Sequence, residues 1–90
     1  MLHLTASATE MIVGLLADHD DLPPEAGLRI AQRDDHVALA MTVAGEPGPD
    51  DTVLLEQDAR VFLGPVADAR LAGSTLDART GADGSAFFLR

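Results

Sequence analysis

The chain has 90 residues, of which 47% are hydrophobic and 23% charged, and this composition predicts one folded domain over residues 1–90. Fifteen acidic residues against six Arg and no Lys give a net charge of −9, which makes nucleic acid and anionic membranes poor candidate partners. There is no cysteine, so the chain has no disulfide, no thiolate nucleophile and no sulfur ligand for a metal.

The N-terminal segment predicts an amphipathic helix over residues 5–17. Its apolar residues recur at helical spacing, at Ala8, Ile12, Leu15 and Leu16. Thr5 is one candidate N-cap, and Ser7 with Glu10 forms a rival capping box. No basic region precedes the apolar residues, and Glu10 and Asp18 interrupt them. We therefore expect neither a secretory signal nor a membrane span. The protein is expected to be cytoplasmic.

The middle of the chain predicts a β-hairpin. Pro23 and Pro24 prevent the helix from continuing, and GLRIAQ at 27–32 predicts a strand. In VALAMTV at 37–43, larger apolar residues alternate with smaller ones, as in a half-buried strand. This alternation places the larger residues on a single face: Val37, Leu39, Met41 and Val43. The Gly- and Pro-rich stretch at 45–51 predicts a loop after this hairpin.

The C-terminal half predicts two further strand pairs joined by a short helix. TVLLEQ and RVFLG are expected to pair around an Asp58–Ala59 turn, and a helix is expected from Pro65 to a stop at Gly73. STLDART and SAFFLR are expected to pair around Asp83–Gly84. The fold class is therefore α+β, with an antiparallel or mixed, strand-rich core.

The sequence RDDH raises the possibility of a site between the first two strands. Asp34, Asp35 and His36 are oxygen and imidazole groups of the kinds that bind divalent metals or act as acid and base. Neighbouring residues of a strand point to opposite faces, so the three can converge only in a turn. A solvated hairpin turn is the favoured interpretation, and a metal site at Asp34, Asp35 and His36 is the alternative.

Other ionisable residues show no local signature of a site. The histidines, His3, His19 and His36, have no helical spacing typical of zinc ligands, and the acidic runs at 18–21 and 49–51 lack an EF-hand pattern. We expect these runs to be solvated and to serve solubility.

Arginines offer a possible anion-binding face. Arg29, Arg33 and Arg60 would form it, although pairing with the surplus acids is the favoured alternative. The chain has neither a serine nucleophile elbow nor a glycine-rich phosphate loop, so we predict no enzyme activity and regard a hydrolase as a weak third hypothesis.

Several stretches resemble the HesB/IscA-like family, the A-type carriers of iron–sulfur cluster assembly. The resemblance rests on LTASATEMIVGLLA, GLRIA and DDTVLLEQDARVFLGPVADARLAGSTLDA, and it covers nearly the whole chain. It implies a compact α+β fold with an N-terminal helix, a strand-rich and partly open barrel-like core, and a short second helix.

That resemblance also implies where the family's chemistry would be. The family binds clusters through one cysteine in a loop after the GLR strand and two in a Cys-Gly-Cys tail after the last strand. In this chain the loop is RDDH, and the sequence ends at Arg90 where the tail would begin. Oxygen ligands are poor substitutes for thiolates on cluster iron. No ligand position of the family is therefore carried over.

We accordingly predict a non-catalytic HesB/IscA-like protein that binds no cofactor of its own. Its expected role is that of an accessory or regulatory binding module, with iron–sulfur assembly proteins as possible partners and self-association as an option. The alternative function is a small-ligand or divalent-metal-binding domain that reuses the fold.

Overall fold

The computed structural model describes residues 1–32 and 38–90, which form two helices and seven strands. The helices are α1 (Ala6–Ala17) and α2 (Pro65–Leu71). The strands are β1 (His3–Leu4), β2 (Gly27–Gln32), β3 (Leu39–Ala44), β4 (Thr52–Glu56), β5 (Ala59–Leu63), β6 (Thr75–Gly81) and β7 (Gly84–Leu89).

The strands form two sheets. The four-stranded sheet has the order β3-β2-β5-β4, in which β2 and β5 run parallel and the other two pairs are antiparallel. The three-stranded sheet has the order β1-β6-β7, with β1 parallel and β7 antiparallel to β6. The predicted α+β class with mixed strands is confirmed, and within the described residues both sheets stay open rather than closing into a barrel.

Helix α1 begins where Thr5 caps it. The Thr5 hydroxyl accepts a hydrogen bond from the Ala8 amide at 3.1 Å, and this satisfies one of the amides that the first turn leaves unpaired. Of the two capping schemes that the sequence offers, the structure therefore uses Thr5. Ala8 and Ile12 are fully buried, as the periodicity predicts, whereas Leu15 and Leu16 are only partly buried.

One apolar cluster lies between the helices and the inner face of the four-stranded sheet. Leu28 and Ile30 of β2 point into it, and the register sets them beside Val61 and Leu63 of β5. The cluster is completed from both helices and the three-stranded sheet by Ala8, Ile12, Ala67, Leu71, Leu2, Leu4, Leu76 and Ala78. Burial of these aliphatic side chains is the main favourable contribution to folding.

Phe62 lies on the opposite face of the same sheet and is nevertheless fully buried. Side chains alternate along a strand, so Phe62 shares this outer face with its partner across the sheet, Arg29. Its ring lies against Gly27, where an added Cβ would be 3.0 Å from the ring and 2.6 Å from the Arg60 carbonyl oxygen. A second, smaller packed layer therefore exists outside the main cluster.

The predicted hairpins form, but both predicted turns are displaced by one residue. The β4–β5 turn is at 57–58, where Glu56 pairs with Ala59, and the β6–β7 turn is at 82–83, where Gly81 pairs with Gly84. Sequence periodicity also missed β1. In the β2–β3 hairpin, Leu39, Met41 and Val43 share the inner face as predicted, but Met41 remains 42% exposed because β3 is an edge strand.

The helices are short. In the two described segments, neither has the length and apolar character that crossing a membrane requires.

Candidate functional site

The RDDH segment connects β2 to β3. The last residue pair of that hairpin is Gln32 of the inner strand β2 with Leu39 of the edge strand β3. Asp34, Asp35 and His36 lie outside the described residues. Both the turn interpretation and the metal-binding alternative therefore stay predictions.

The C-terminal end of the chain is held at the N-terminus of α1. Asp77 of β6 is buried; its Oδ1 accepts hydrogen bonds from the Thr5 hydroxyl at 2.7 Å and the Ala78 amide at 2.8 Å. Its Oδ2 contacts the Arg90 guanidinium, and the Arg90 amide donates to the Thr75 carbonyl at 2.9 Å. The hydrogen bond from Thr5, followed by those from Ala78 and Arg90, lowers the pKa of Asp77, and burial offsets part of this effect.

A second carboxylate organises the 45–51 loop. The Asp51 carboxylate accepts from Arg29 Nε at 2.7 Å, from Arg29 Nη2 at 3.0 Å, and from the Gly48 amide at 2.8 Å. Only 1% of the Asp51 side chain is exposed, and the hydrogen bond from Arg29 lowers its pKa. The two-point contact fixes the loop over the outer face of the sheet.

These contacts correct the expectation that the acidic run at 49–51 is simply solvated. Asp50 is exposed, but Asp51 is a buried structural group. They also decide between the two hypotheses for Arg29, which pairs with an acid. Arg60 donates to the Pro24 carbonyl at 3.2 Å, and Arg33 lies outside the described residues. The described arginines therefore do not form the anion-binding face that was considered.

The histidines of the described segments do not converge. His3 is exposed on β1, and His19 Nδ1 contacts the Leu15 carbonyl oxygen at 2.9 Å just beyond α1. Across residues 1–32 and 38–90, no group of three or more His, Asp or Glu residues is placed to hold a metal ion.

A groove lies near the edge of the four-stranded sheet, and we call it the α1–β4 groove. It has a volume of about 450 Å³ and lies between the C-terminus of α1, residues 19–26 and the β4–β5 turn. Apolar side chains on its walls include Val13, Leu16, Leu22, Pro23 and Leu55.

Its polar lining comes from His19, Gln57, Asp58 and Arg60. Gln57, in the turn, adopts a φ of 54°, a left-handed conformation that is uncommon for a residue other than glycine. Sequence reasoning missed this groove, because its three walls are brought together only by the fold. The acidic run at 18–21 was the one local signal of it.

A larger and shallower groove of about 620 Å³ separates α1 from the β6–β7 hairpin. Met11, Gly14 and Leu15 of α1 face Ala78 and Phe87 across it. Its lining has one arginine, Arg79, which lies 5.8 Å from the centre of the Phe88 ring.

The architecture is similar to that of solved iron–sulfur proteins. The structure of Escherichia coli SufA, described as involved in biosynthesis of iron–sulfur clusters, matches with a TM-score of 0.77 at 22% identity, over 99% of this chain and 83% of that one. The structure of IscA with the [2Fe-2S] cluster matches with a TM-score of 0.73 at 26% identity, over 100% and 84%.

A protein from Aquifex aeolicus, solved by solution NMR, matches with a TM-score of 0.74 at 21% identity, over 99% of this chain and 89% of that chain. Neither protein-family models nor curated proteins give a match to the sequence. The structural likeness therefore identifies the fold: this chain has a HesB/IscA-like fold, and none of its 90 residues is a cysteine.

Proposed function

We propose that the protein is an accessory or regulatory binding module of iron–sulfur cluster assembly that holds no cluster of its own. The observation that supports this role is the combination of fold and composition. The structures of SufA and of IscA with its cluster align over at least 99% of this chain. The chain itself has no cysteine, and so no thiolate that could bind iron. Cluster iron prefers thiolate ligands, and carboxylates replace them poorly.

The contacts around Asp77 support a structural role for Arg90, the residue that follows β7. Arg90 is held by a buried carboxylate and by backbone hydrogen bonds to Thr75. The groups gathered there are a hydroxyl, a carboxylate, a guanidinium and amides, and each is engaged with another. This arrangement fixes the end of the three-stranded sheet and presents no free donor to a metal.

A non-catalytic role agrees with the buried polar groups. Among the described residues, the two carboxylates with shifted pKa values, Asp51 and Asp77, have them lowered by hydrogen bonding to structural partners. A carboxylate is most efficient as a general acid or base near neutral pH when its pKa is shifted upward, which is the opposite direction. We propose that the module works in the cytoplasm by contact with assembly proteins, not by catalysis.

Anaerobic reconstitution with ferrous iron and sulfide tests the cluster-free part of the proposal, with IscA treated in parallel as the positive control. We expect IscA to retain the visible absorbance of a cluster after desalting and this protein to retain none. Stoichiometric absorbance that stays with the protein would overturn this part.

Affinity isolation of the tagged chain from its native cells tests the partner part. We expect enrichment of cluster-assembly scaffold or desulfurase proteins, confirmed by binding of the purified pair. A tagged Ile12→Asp variant, which places an unpaired charge at a fully buried position, is the control for retention of unfolded chains. Equal recovery of the same proteins with both baits, or no assembly protein with the native bait, would contradict the role.

A further inference from the structure

The α1–β4 groove combines exposed apolar side chains with a dense acidic margin. Leu55 and Val13 both line the groove, and their side chains remain 58% and 37% exposed to solvent. Among the described leucines Leu55 is the most exposed, so the fold leaves a large apolar side chain uncovered at the groove.

Six carboxylates surround this apolar surface, each either lining the groove or next in sequence to a lining residue: Asp18, Asp20, Asp21, Glu25, Glu56 and Asp58. All six are exposed. In the described part of the chain, the carboxylates that form ion pairs with arginine are Asp51 and Asp77, and none of these six does so.

The helix adds to the same negative field. Asp18 is the C-cap of α1, no basic residue occupies the last turn, and Asp20 and Asp21 follow immediately. The C-terminus of a helix has a partial negative charge, so carboxylates there repel it and reduce stability. A cationic partner would relieve this repulsion.

The one arginine in the described lining offsets only one of the six negative charges of the margin. Arg60 directs its guanidinium to the Pro24 carbonyl oxygen at 3.2 Å, which holds the two walls together. Gln57 and Asp58 form the tip of the facing wall, and Gln57 keeps its left-handed backbone there.

We propose that the α1–β4 groove binds an arginine- or lysine-rich segment of a partner protein, with an apolar side chain of that segment against Leu55 and Val13 and its cationic groups at the acidic margin. Charge complementarity selects this occupant. A second copy of the chain, with its net charge of −9, would bring like charges together. The inference rests on the proposed function in that it names the surface of a binding module.

A fluorescein-labelled peptide of alternating arginine and leucine is the probe, and fluorescence anisotropy measures its dissociation constant. Two matched peptides accompany it, one with glutamate in place of arginine and one with glycine in place of leucine. The groove variant is Leu55→Ser, Asp58→Asn. The control variant is Leu89→Ser, Asp83→Asn, which changes a leucine of similar exposure and one carboxylate at the β6–β7 hairpin.

We expect the arginine–leucine peptide to bind with a dissociation constant that rises about tenfold in the groove variant and less than about twofold in the control, and that rises with salt. Both control peptides should bind at least about tenfold more weakly. If the groove variant unfolds, as judged by circular dichroism, Asp20→Asn, Asp21→Asn takes its place because both residues are exposed and outside the strands.

Equal weakening by both variants, or equal binding of the arginine–glycine peptide, would show general attraction to an acidic protein and overturn the proposal. Saturable Ca²⁺ binding at the groove without peptide binding would identify a cation site instead. A dimer in sedimentation that is lost in the groove variant would identify a second copy. The peptide assay needs no assembly protein, so its failure is distinct from failure of the partner isolation above.

Discussion

Thr5 and Asp77 lie 72 positions apart in the sequence and are joined by a 2.7 Å hydrogen bond from the Thr5 hydroxyl to Oδ1 of the carboxylate. The same hydroxyl accepts from the Ala8 amide and so caps α1. One small side chain therefore both starts the helix and ties it to β6. Because Asp77 also holds Arg90, the two ends of the chain share one polar cluster.

Substitutions at Thr5 distinguish the contribution of its hydroxyl hydrogen bonds to stability from the contribution of burying its methyl group. Thr5→Ala removes the cap and the bond to Asp77, and loss of an N-cap alone costs about 1 kcal/mol of unfolding free energy. Thr5→Ser keeps the hydroxyl and should stay close to the native value. Urea denaturation measures both variants. Equal destabilisation by serine and alanine would mean that the methyl group, not the hydroxyl, is what matters.

Acid should weaken the protein partly through Asp51. Its pKa is lowered in the folded state from the ordinary value of 3.8, so the stabilisation is fully present above that value and is lost as the pH falls through the folded-state pKa. Asp51→Asn should cost about 1 to 3 kcal/mol at neutral pH, towards the lower end because Arg29 is 36% exposed.

Urea denaturation from neutral pH to below pH 3.8 tests this, with the exposed neighbour substituted in Asp50→Asn as the control. The stability difference between the native protein and Asp51→Asn should shrink as the solution is acidified, whereas Asp50→Asn should follow the native curve. The comparison matters because the net charge of −9 creates repulsion that acid relieves in every variant. A pH-independent difference would refute the role of Asp51 ionisation.

Alanine substitutions at two glycines should change the stability of the protein in opposite directions. Gly14 lies inside α1 with no atom within 4 Å of an added Cβ, so Gly14→Ala should stabilise the protein by about 0.5 to 1 kcal/mol. Gly27→Ala would place its Cβ 2.6 Å from the Arg60 carbonyl and against Phe62, and should destabilise by about 1 to 3 kcal/mol. Thermal denaturation of both variants measures the contrast. A neutral Gly27→Ala would mean that the outer layer around Phe62 is loosely packed.

Local patterns in the sequence predicted most of the fold, because helical and strand periodicity depend on neighbouring residues. Helix α1 and the β2–β3 hairpin follow from such patterns, whereas the choice of Thr5 over the rival capping box at Ser7 and Glu10 came from the structure. Strand β1 has two residues and no periodicity to detect. Asp51 was not recognised as structural because its partner, Arg29, is 22 positions away, and nothing in the acidic run distinguishes it from Asp50.

The candidate site was less predictable for the same reason. Its walls come from α1, the 19–26 segment and the β4–β5 turn. The sequence shows the acidic run at 18–21, but it does not show that the β4–β5 turn lies beside this run. The exposure of Leu55 could not be predicted from the sequence. Alternation along β4 assigns Leu54 and Leu55 to opposite faces of the sheet, but it does not say whether other residues cover the outer face. Here the outer face is covered at Phe62 and open at Leu55.

The metal-binding alternative makes a prediction that the described residues leave untested. Asp34, Asp35 and His36 would supply two carboxylates and an imidazole, which are groups suited to Zn²⁺ or Mn²⁺. The alternative expects saturable Zn²⁺ binding in calorimetry that is lost in Asp35→Asn, His36→Gln. The matched control is Asp20→Asn, His19→Gln, which alters an exposed histidine and its acidic neighbour beyond α1. Because His19 contacts the Leu15 carbonyl, this pair should contribute little to binding. Equal loss in both variants would show diffuse attraction of cations to the acidic surface, and no saturable binding in the native protein would leave RDDH as a connection without metal chemistry.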